Sequence, residues 1–224
     1  MSKNRFNHLT PPTTVDLSTV SVRGQRWYVT PEGIRYPSVT TVLSSEPKSA
    51  IIAWKESMGA VKADKETKRC ADRGTAVHDM LEKYVNNDPD YINGHTTQNV
   101  KLFNRTKLAL KKVDNVRIQE VALYSNMLKL AGRVDCVAEH NGILSIIDFK
   151  TSTKFKPLEL VGDYMLQCTA YAIMYNEMFG TAIDNIVIII GVEKEIVPTV
   201  YTDKIDAHIE PLLKRISKFH NGVK

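Results

Sequence analysis

The sequence predicts an α/β fold in which a mixed central sheet, flanked by helices, sits behind an N-terminal helical cap. Three observations carry that expectation. Up to about residue 113 apolar residues recur at helical spacing, as Val77, Leu81, Tyr84 and Val85 do. From residue 117 the pattern becomes strand-like, and Asn141-Gly142 between β-branched runs is the strongest short hairpin signal. Residues 185–192, NIVIIIGV, are apolar on both faces, which suits a strand covered on both sides.

The chain has 224 residues, a length that fits one domain able to fold without disulfides. We expect a polar arm over 1–19 and a single domain over 20–224, with a hairpin and helical cap over 20–114 and an α/β core over 115–224. The formal net charge of +5 and pI near 9.0 permit a polyanionic partner without requiring one. Cys70, Cys136 and Cys168 form no CxxC pair, which argues against disulfides, zinc ribbons and an Fe–S cluster and suits a reducing interior. There is no apolar run of about 18 residues and no Gly-rich phosphate loop, so neither a membrane span nor a bound nucleotide is expected. The first residues lack the apolar core of a secretory signal and, with Pro11-Pro12, make a poor transit peptide, so the expected compartment is the cytoplasm.

Taken in order, residues 20–30 suit a short hairpin turning near Gly24, and Ser38 can cap a short helix after Pro37. Residues 50–59 form a helix with Trp54 inward, and the charged run KADKETKR leads to a stronger helix over about 70–86. A third helix is expected over 97–113, with Lys101, Lys107, Lys111 and Lys112 on a solvated face. Residues 117–124 are a strand, followed by the hairpin within 128–150. A Lys-rich loop leads to a helix over about 162–179 ended by Gly180. Strands over 185–192 and 196–202 and a closing amphipathic helix over 203–220 complete the chain.

The hairpin carries the chemistry. With Asn141-Gly142 as the turn, His140 pairs with Ile143, and counting outward places Asp135 opposite Asp148. Side chains opposite one another across an antiparallel pair lie about 5 Å apart. Lys150 projects from the same face because strand side chains alternate. Two carboxylates so close would force one to keep a proton unless a cation lay between them, and a divalent metal is the economical resolution. Hard oxygen ligands suit Mg²⁺ or Mn²⁺. The same register sets Arg133 opposite Lys150, an unfavourable like-charge pair. Either the strand bulges near Gly132 or Arg133 reaches aside, to a phosphate or a carboxylate.

Gln167 and Tyr171, four residues apart, share one helix face. The order G-x-x-D (Gly132, Asp135), D-x-K (Asp148, Lys150) and Q-x-x-x-Y (Gln167, Tyr171) resembles the RecB-like branch of the PD-(D/E)XK nucleases. An upstream R-G-T-x-x-H (Arg73, Gly74, Thr75, His78) looks like that branch's first motif. The stretch Y-P-S-V-T-x-V-L from Tyr36, with Glu120 ahead of the hairpin, is similar to the mitochondrial genome-maintenance exonuclease family and its phage-encoded relatives. The resemblance implies the PD-(D/E)XK fold, with Asp135, Asp148 and the backbone carbonyl of Phe149 holding metal and Lys150 as the catalytic lysine. It implies His78 and Glu120 as further ligands, although beside Val77 and Leu81 a histidine also fits a core edge. Gln167 and Tyr171 would position DNA or the lysine. Val134 stands where a proline precedes the acid in other branches, and Asp148 replaces the commoner glutamate.

Arg73, Thr75, Arg133, Thr151, Ser152, Lys154 and Lys156 lie where a DNA strand would enter, and phosphate contact is expected of them. Trp54 and Tyr36 fit either base stacking or core packing. The activity this implies is Mg²⁺- or Mn²⁺-dependent hydrolysis of DNA with one or two ions, as an exonuclease preferring single-stranded ends. The settings it implies are replication, recombination or repair, alongside proteins of those processes or in a phage-infected cytoplasm. The rivals are an endonuclease of the same fold and a non-catalytic DNA-binding recombination partner.

Overall fold

A computed structural model describes residues 5–46 and 49–222. Strands β1 (Ser18–Val22), β2 (Gln25–Val29) and β3 (Arg35–Pro37) form a three-stranded antiparallel sheet. The turn between β1 and β2 puts Arg23 and Gly24 at positive φ, as a tight hairpin requires. Helices α1 (Val39–Leu43), α2 (Ser49–Met58), α3 (Ala60–Val85) and α4 (Thr97–Thr106) follow. Then come β4 (Val113–Ser125), β5 (Leu130–His140), β6 (Ile143–Ser152), α5 (Gly162–Phe179), β7 (Asn185–Val192), β8 (Thr199–Lys204) and α6 (Asp206–Gly222).

The second sheet runs β4-β5-β6-β7-β8, with β6 parallel to β7 and the other pairs antiparallel, so it is mixed as expected. Every residue of β7 is buried, because its two faces meet different cores. Ile186, Ile188 and Ile190 pack under α1, α5 and α6, whereas Val187 and Ile189 pack under α3 and α4. Gly191 lets α4 approach: a Cβ there would lie 2.1 Å from Thr106 Oγ1.

Several boundaries differ from the sequence expectation. Helix α3 starts at Ala60 rather than near 70, because the charged run is itself helical, with Lys68–Asp72 and Arg69–Glu66 pairs along its solvated surface. Helix α4 stops at Thr106, and a 3-10 turn at Ala109–Lys112 leads directly into β4. The strand expected from 196 begins at Thr199, since Pro198 has no N–H to offer a ladder and Ile196 and Val197 are exposed. Trp54 is only half-buried on a helix whose Ile51 and Ile52 face solvent. The polar arm is laid against the body: Phe6 is buried, and Leu9 N–H donates to the carbonyl of Val116.

Candidate active site

The hairpin turn forms as expected, with Asn141 and Gly142 both at positive φ and His140 paired with Ile143. The expected facing of Asp135 and Asp148 is corrected by the ladder, which ends one pair earlier at Cys136 and Ile147. Beyond that point β5 parts from β6, and the Asp135 carboxylate reaches across to accept the Phe149 N–H at 2.8 Å. Phe149 thus enters the site through its backbone. The splay also removes the Arg133–Lys150 clash. Arg133 turns aside, and its guanidinium donates to the backbone carbonyl of Glu120.

That contact accompanies an unusual backbone. Glu120 has φ 49°, a left-handed conformation that costs a non-glycine residue roughly 1–2 kcal/mol. Gln119 pairs with Cys136 and Val121 with Val134, so Glu120 falls opposite Asp135. The carboxylates that face each other are therefore on β4 and β5. His78, from α3, completes the group: its Nδ1 lies 3.7 Å from Asp135 Oδ2, and ligand atoms of His78, Glu120 and Asp135 all lie within 4.8 Å of one another. Burial, then Asp135 and Glu82, push the Glu120 carboxyl up to about 7.

Asp148 sits deeper, with its side chain only 1% exposed. Its Oδ1 accepts from Lys150 Nζ at 2.6 Å and from Gln167 Nε2 at 3.0 Å. Its Oδ2 is buried and has no hydrogen-bond partner among the described residues. Burial pushes the Asp148 carboxyl up while Lys150 opposes the rise. Burial works against the Lys150 ammonium, but Asp148 and Asp135 outweigh it and raise its pKa. Gln167 Nε2 also lies 3.5 Å from the Tyr171 hydroxyl. Tyr171 in turn lies against Gly132, where a Cβ would stand 2.7 Å from the ring. The three motifs G-x-x-D, D-x-K and Q-x-x-x-Y thus meet through Tyr171, Gln167 and Asp148.

An imidazole, facing carboxylates and an unpartnered buried carboxylate oxygen form the donor chemistry that a hard divalent cation takes, so the residues present fit such an ion. His78, Glu120 and Asp135 border a cleft of roughly 600 Å³ that is also lined by Thr75, Arg133, Gln167 and Tyr171, while Asp148 is bonded to Gln167 and is not itself part of the lining. The other expected DNA contacts sit elsewhere or are already engaged. Arg73 is buried and occupied by Glu193 at 2.9 Å and Thr153 at 3.1 Å, so it braces α3 instead of facing the cleft. Thr151 Oγ1 accepts from Arg73, and Ser152 Oγ donates to the Lys154 carbonyl. Lys154 is exposed, and Lys156 donates to the Tyr164 hydroxyl at 2.6 Å. Tyr36 is buried and donates to Asn126, which leaves it no face for a base.

The cleft has lining residues that sequence reasoning missed. Glu82 lies one turn beyond His78 on α3, and helical spacing alone could have found it. Arg26 on β2, with Ser38 and Thr40 at the start of α1, forms part of the wall. Ser38 and Thr40 fall within the Y-P-S-V-T-x-V-L stretch, which gave them no role at the site, and no local signal marks Arg26, which the separate N-terminal sheet carries there.

A model of the PD-(D/E)XK nuclease superfamily matches residues 53–215. Mitochondrial genome maintenance exonuclease 1 of Mus musculus is 31% identical over 144 residues, 60% of this chain and 43% of that protein. The Homo sapiens protein of the same name is 46% identical over 63 residues, 28% of this chain and 18% of its own. The matched stretch covers less than half the length of either relative. A solved structure from Eubacterium rectale aligns over 65% of this chain and 64% of its own at 10% identity, with a TM-score of 0.45. With most of its length matched by one family model, and its strands and helices arranged as a mixed sheet between helical layers, the chain belongs to the PD-(D/E)XK nuclease superfamily.

Proposed function

We propose that the protein is a divalent-metal-dependent deoxyribonuclease that hydrolyses phosphodiester bonds from DNA ends, with preference for single strands. The observation that carries this reading is the adjacency of two half-sites: the His78–Glu120–Asp135 group and the buried Asp148–Lys150 pair. The names of the two curated relatives support the exonuclease assignment. His78, Glu120 and Asp135 would hold the ion, with the unpartnered Asp148 Oδ2 and the Phe149 backbone carbonyl as further donors. When bound, Mg²⁺ or Mn²⁺ would supply Lewis acidity toward the phosphate and lower the pKa of an attacking water.

The chain's own residues do the rest. Lys150 stays charged and aims its ammonium where negative charge builds on the phosphate. Gln167 fixes the Asp148 rotamer that holds Lys150, and Tyr171 seats Gln167 against Gly132. Arg26, Arg133 and Thr75 line the cleft as phosphate contacts that position a strand without reading its sequence. Among the described residues no helix is long and apolar enough to cross a membrane. A cytoplasmic role in replication, recombination or repair, in a cell or a phage infection, is consistent with this chemistry.

The test compares wild type with Lys150→Ala on end-labelled single-stranded, duplex and circular DNA, with Mg²⁺, with Mn²⁺ and with chelator. The expected result is metal-dependent shortening of linear strands by wild type alone, with circles intact. Equal activity in both proteins would sink the assignment, and cleaved circles would favour the endonuclease rival.

A further inference from the structure

Away from the cleft, Arg5, Lys107, Lys111 and Lys112 line a groove of roughly 580 Å³ at the turn end of the β5–β6 hairpin. Among the described residues none of these four cations has a carboxylate partner. What sets them apart is their convergence on one concave surface, whereas Lys68, Lys83 and Lys214 each sit 2.7 Å from an acid. Asp114, the one acid of the groove among the described residues, already accepts the backbone N–H of Asn7.

Aromatic faces hold two of the cations instead. Arg5 Cζ lies 4.2 Å from the Tyr84 ring centre, and Lys107 Nζ lies 5.6 Å from the same centre. The ring quadrupole attracts each cation but does not neutralise it. Two positive groups on one ring, with two exposed lysines beside them, focus a positive potential into a concave surface. An anion in the groove relieves that repulsion.

We propose that this groove is a second phosphate track, taking the backbone of a DNA strand whose end lies in the cleft; this rests on the reading of the protein as a deoxyribonuclease. Strand β5 joins the two places, since Asp135 lines the cleft and Asn141, just past its end, the groove. Six residues of extended chain separate them, about 20 Å at about 3.4 Å each. A DNA strand covers that span with about six nucleotides at about 3.4 Å of rise each. The rings are covered by cations, so the groove offers charge without a stacking surface, and its contacts are with phosphates, independent of sequence.

The test uses the full chain and the Lys111→Glu/Lys112→Glu double variant, both positions being exposed. Affinity for a strand of about 40 nucleotides is measured without divalent metal across a salt series, and turnover is measured on one of about 4, the lower end of a single-strand site and too short to reach from the cleft to the groove. The expected variant binds the long strand about tenfold more weakly, with a salt slope shallower by about 1–2, each lost phosphate contact contributing roughly 0.7. Its turnover of the short strand stays within about twofold. Unchanged affinity and slope for the long strand overturn the proposal while leaving the nuclease reading intact. Polyglutamate that displaces the long strand from wild type at equal charge concentration, but not from the variant, assigns the groove to an acidic protein and also overturns it. A wild type that cuts neither strand yet loses long-strand affinity on charge reversal supports the groove and sinks the nuclease reading.

Discussion

The two carboxylate centres of the candidate site are built on opposite principles. Asp148 is buried and held by Lys150 and Gln167, so the protein itself supplies its counter-charge. Asp135 stands beside Glu120 and His78 at the open side, with its nearest positive groups engaged elsewhere: Arg133 with a carbonyl and Lys150 with Asp148. One centre takes its counter-charge from the fold and keeps one buried oxygen unpartnered among the described residues, and the other is an excess of negative charge that a cation would resolve. The contrast explains how a sheet can present two acids without both being protonated.

The largest effect should come from the buried centre. Lys150→Ala removes the only cation bonded to Asp148 among the described residues and leaves a buried carboxylate with Gln167. Single-turnover cleavage of end-labelled DNA should fall about a thousandfold, the scale for loss of one positioned charge at a transition state. Thermal or urea unfolding should show a loss of about 1–3 kcal/mol for the unsatisfied group. An active Lys150→Ala protein would remove the distinction between the two centres.

At the open centre the signs should separate. Glu120→Gln relieves repulsion with Asp135 and burial of a charge, so the metal-free protein should melt a few degrees higher than wild type. The same change removes a hard anionic donor and should weaken Mn²⁺ binding, followed by titration calorimetry, by about 10–100-fold, the loss seen when a supporting group of a metal site is removed. A substitution that lowers both stability and ion affinity would mean that Glu120 is structural.

Gly132→Ala tests the joint between the centres. The added methyl must displace Tyr171, whose ring lies 2.7 Å from its position, and such overpacking costs about 1–3 kcal/mol. Activity should fall about tenfold as Tyr171 and Gln167 shift, a barrier change of about 1.4 kcal/mol. Adding Tyr171→Leu should return much of the stability, read by urea melts, without the activity.

What the sequence made legible follows from the range of the forces involved. The Asn141-Gly142 turn and the buried β7 depend on local periodicity and spacing and form as expected, and the motif residues Asp148, Lys150, Gln167 and Tyr171 are brought into contact. The pairing of Asp135 did not, because a hairpin count assumes a ladder that continues, and here β5 leaves β6 after Cys136. The Glu120 backbone flip and the Arg133 contact that accompanies it are tertiary events with no local signature. Arg73 misled for a different reason. An arginine in a motif near a phosphate site invites a ligand role, but its partner, Glu193, lies 120 residues away in the loop after β7.

That partner provides the smallest test. Glu193 binds Arg69 at 2.7 Å and Arg73 at 2.9 Å, and Arg73 in turn reaches Thr151 and Thr153 at the end of β6. The network therefore ties α3, which carries His78, to the strand that carries Asp148 and Lys150. The Arg69 hydrogen bond, with help from Arg73, holds the Glu193 carboxyl down at about 2. A depressed carboxylate stabilises the fold above its ordinary pKa, near 4.5, and loses that contribution as pH falls toward 2. Because the pair is partly solvated, Glu193→Gln should cost no more than about 1 kcal/mol at neutral pH. The variant and wild-type stability curves should converge as pH falls from 4.5 to 2. If the clamp also sets the distance between the two centres, Mn²⁺ affinity should drop severalfold at neutral pH, and Glu193→Asp should restore part of it. A variant with unchanged ion affinity would confine the clamp to stability and leave the geometry of the centres to the sheet alone.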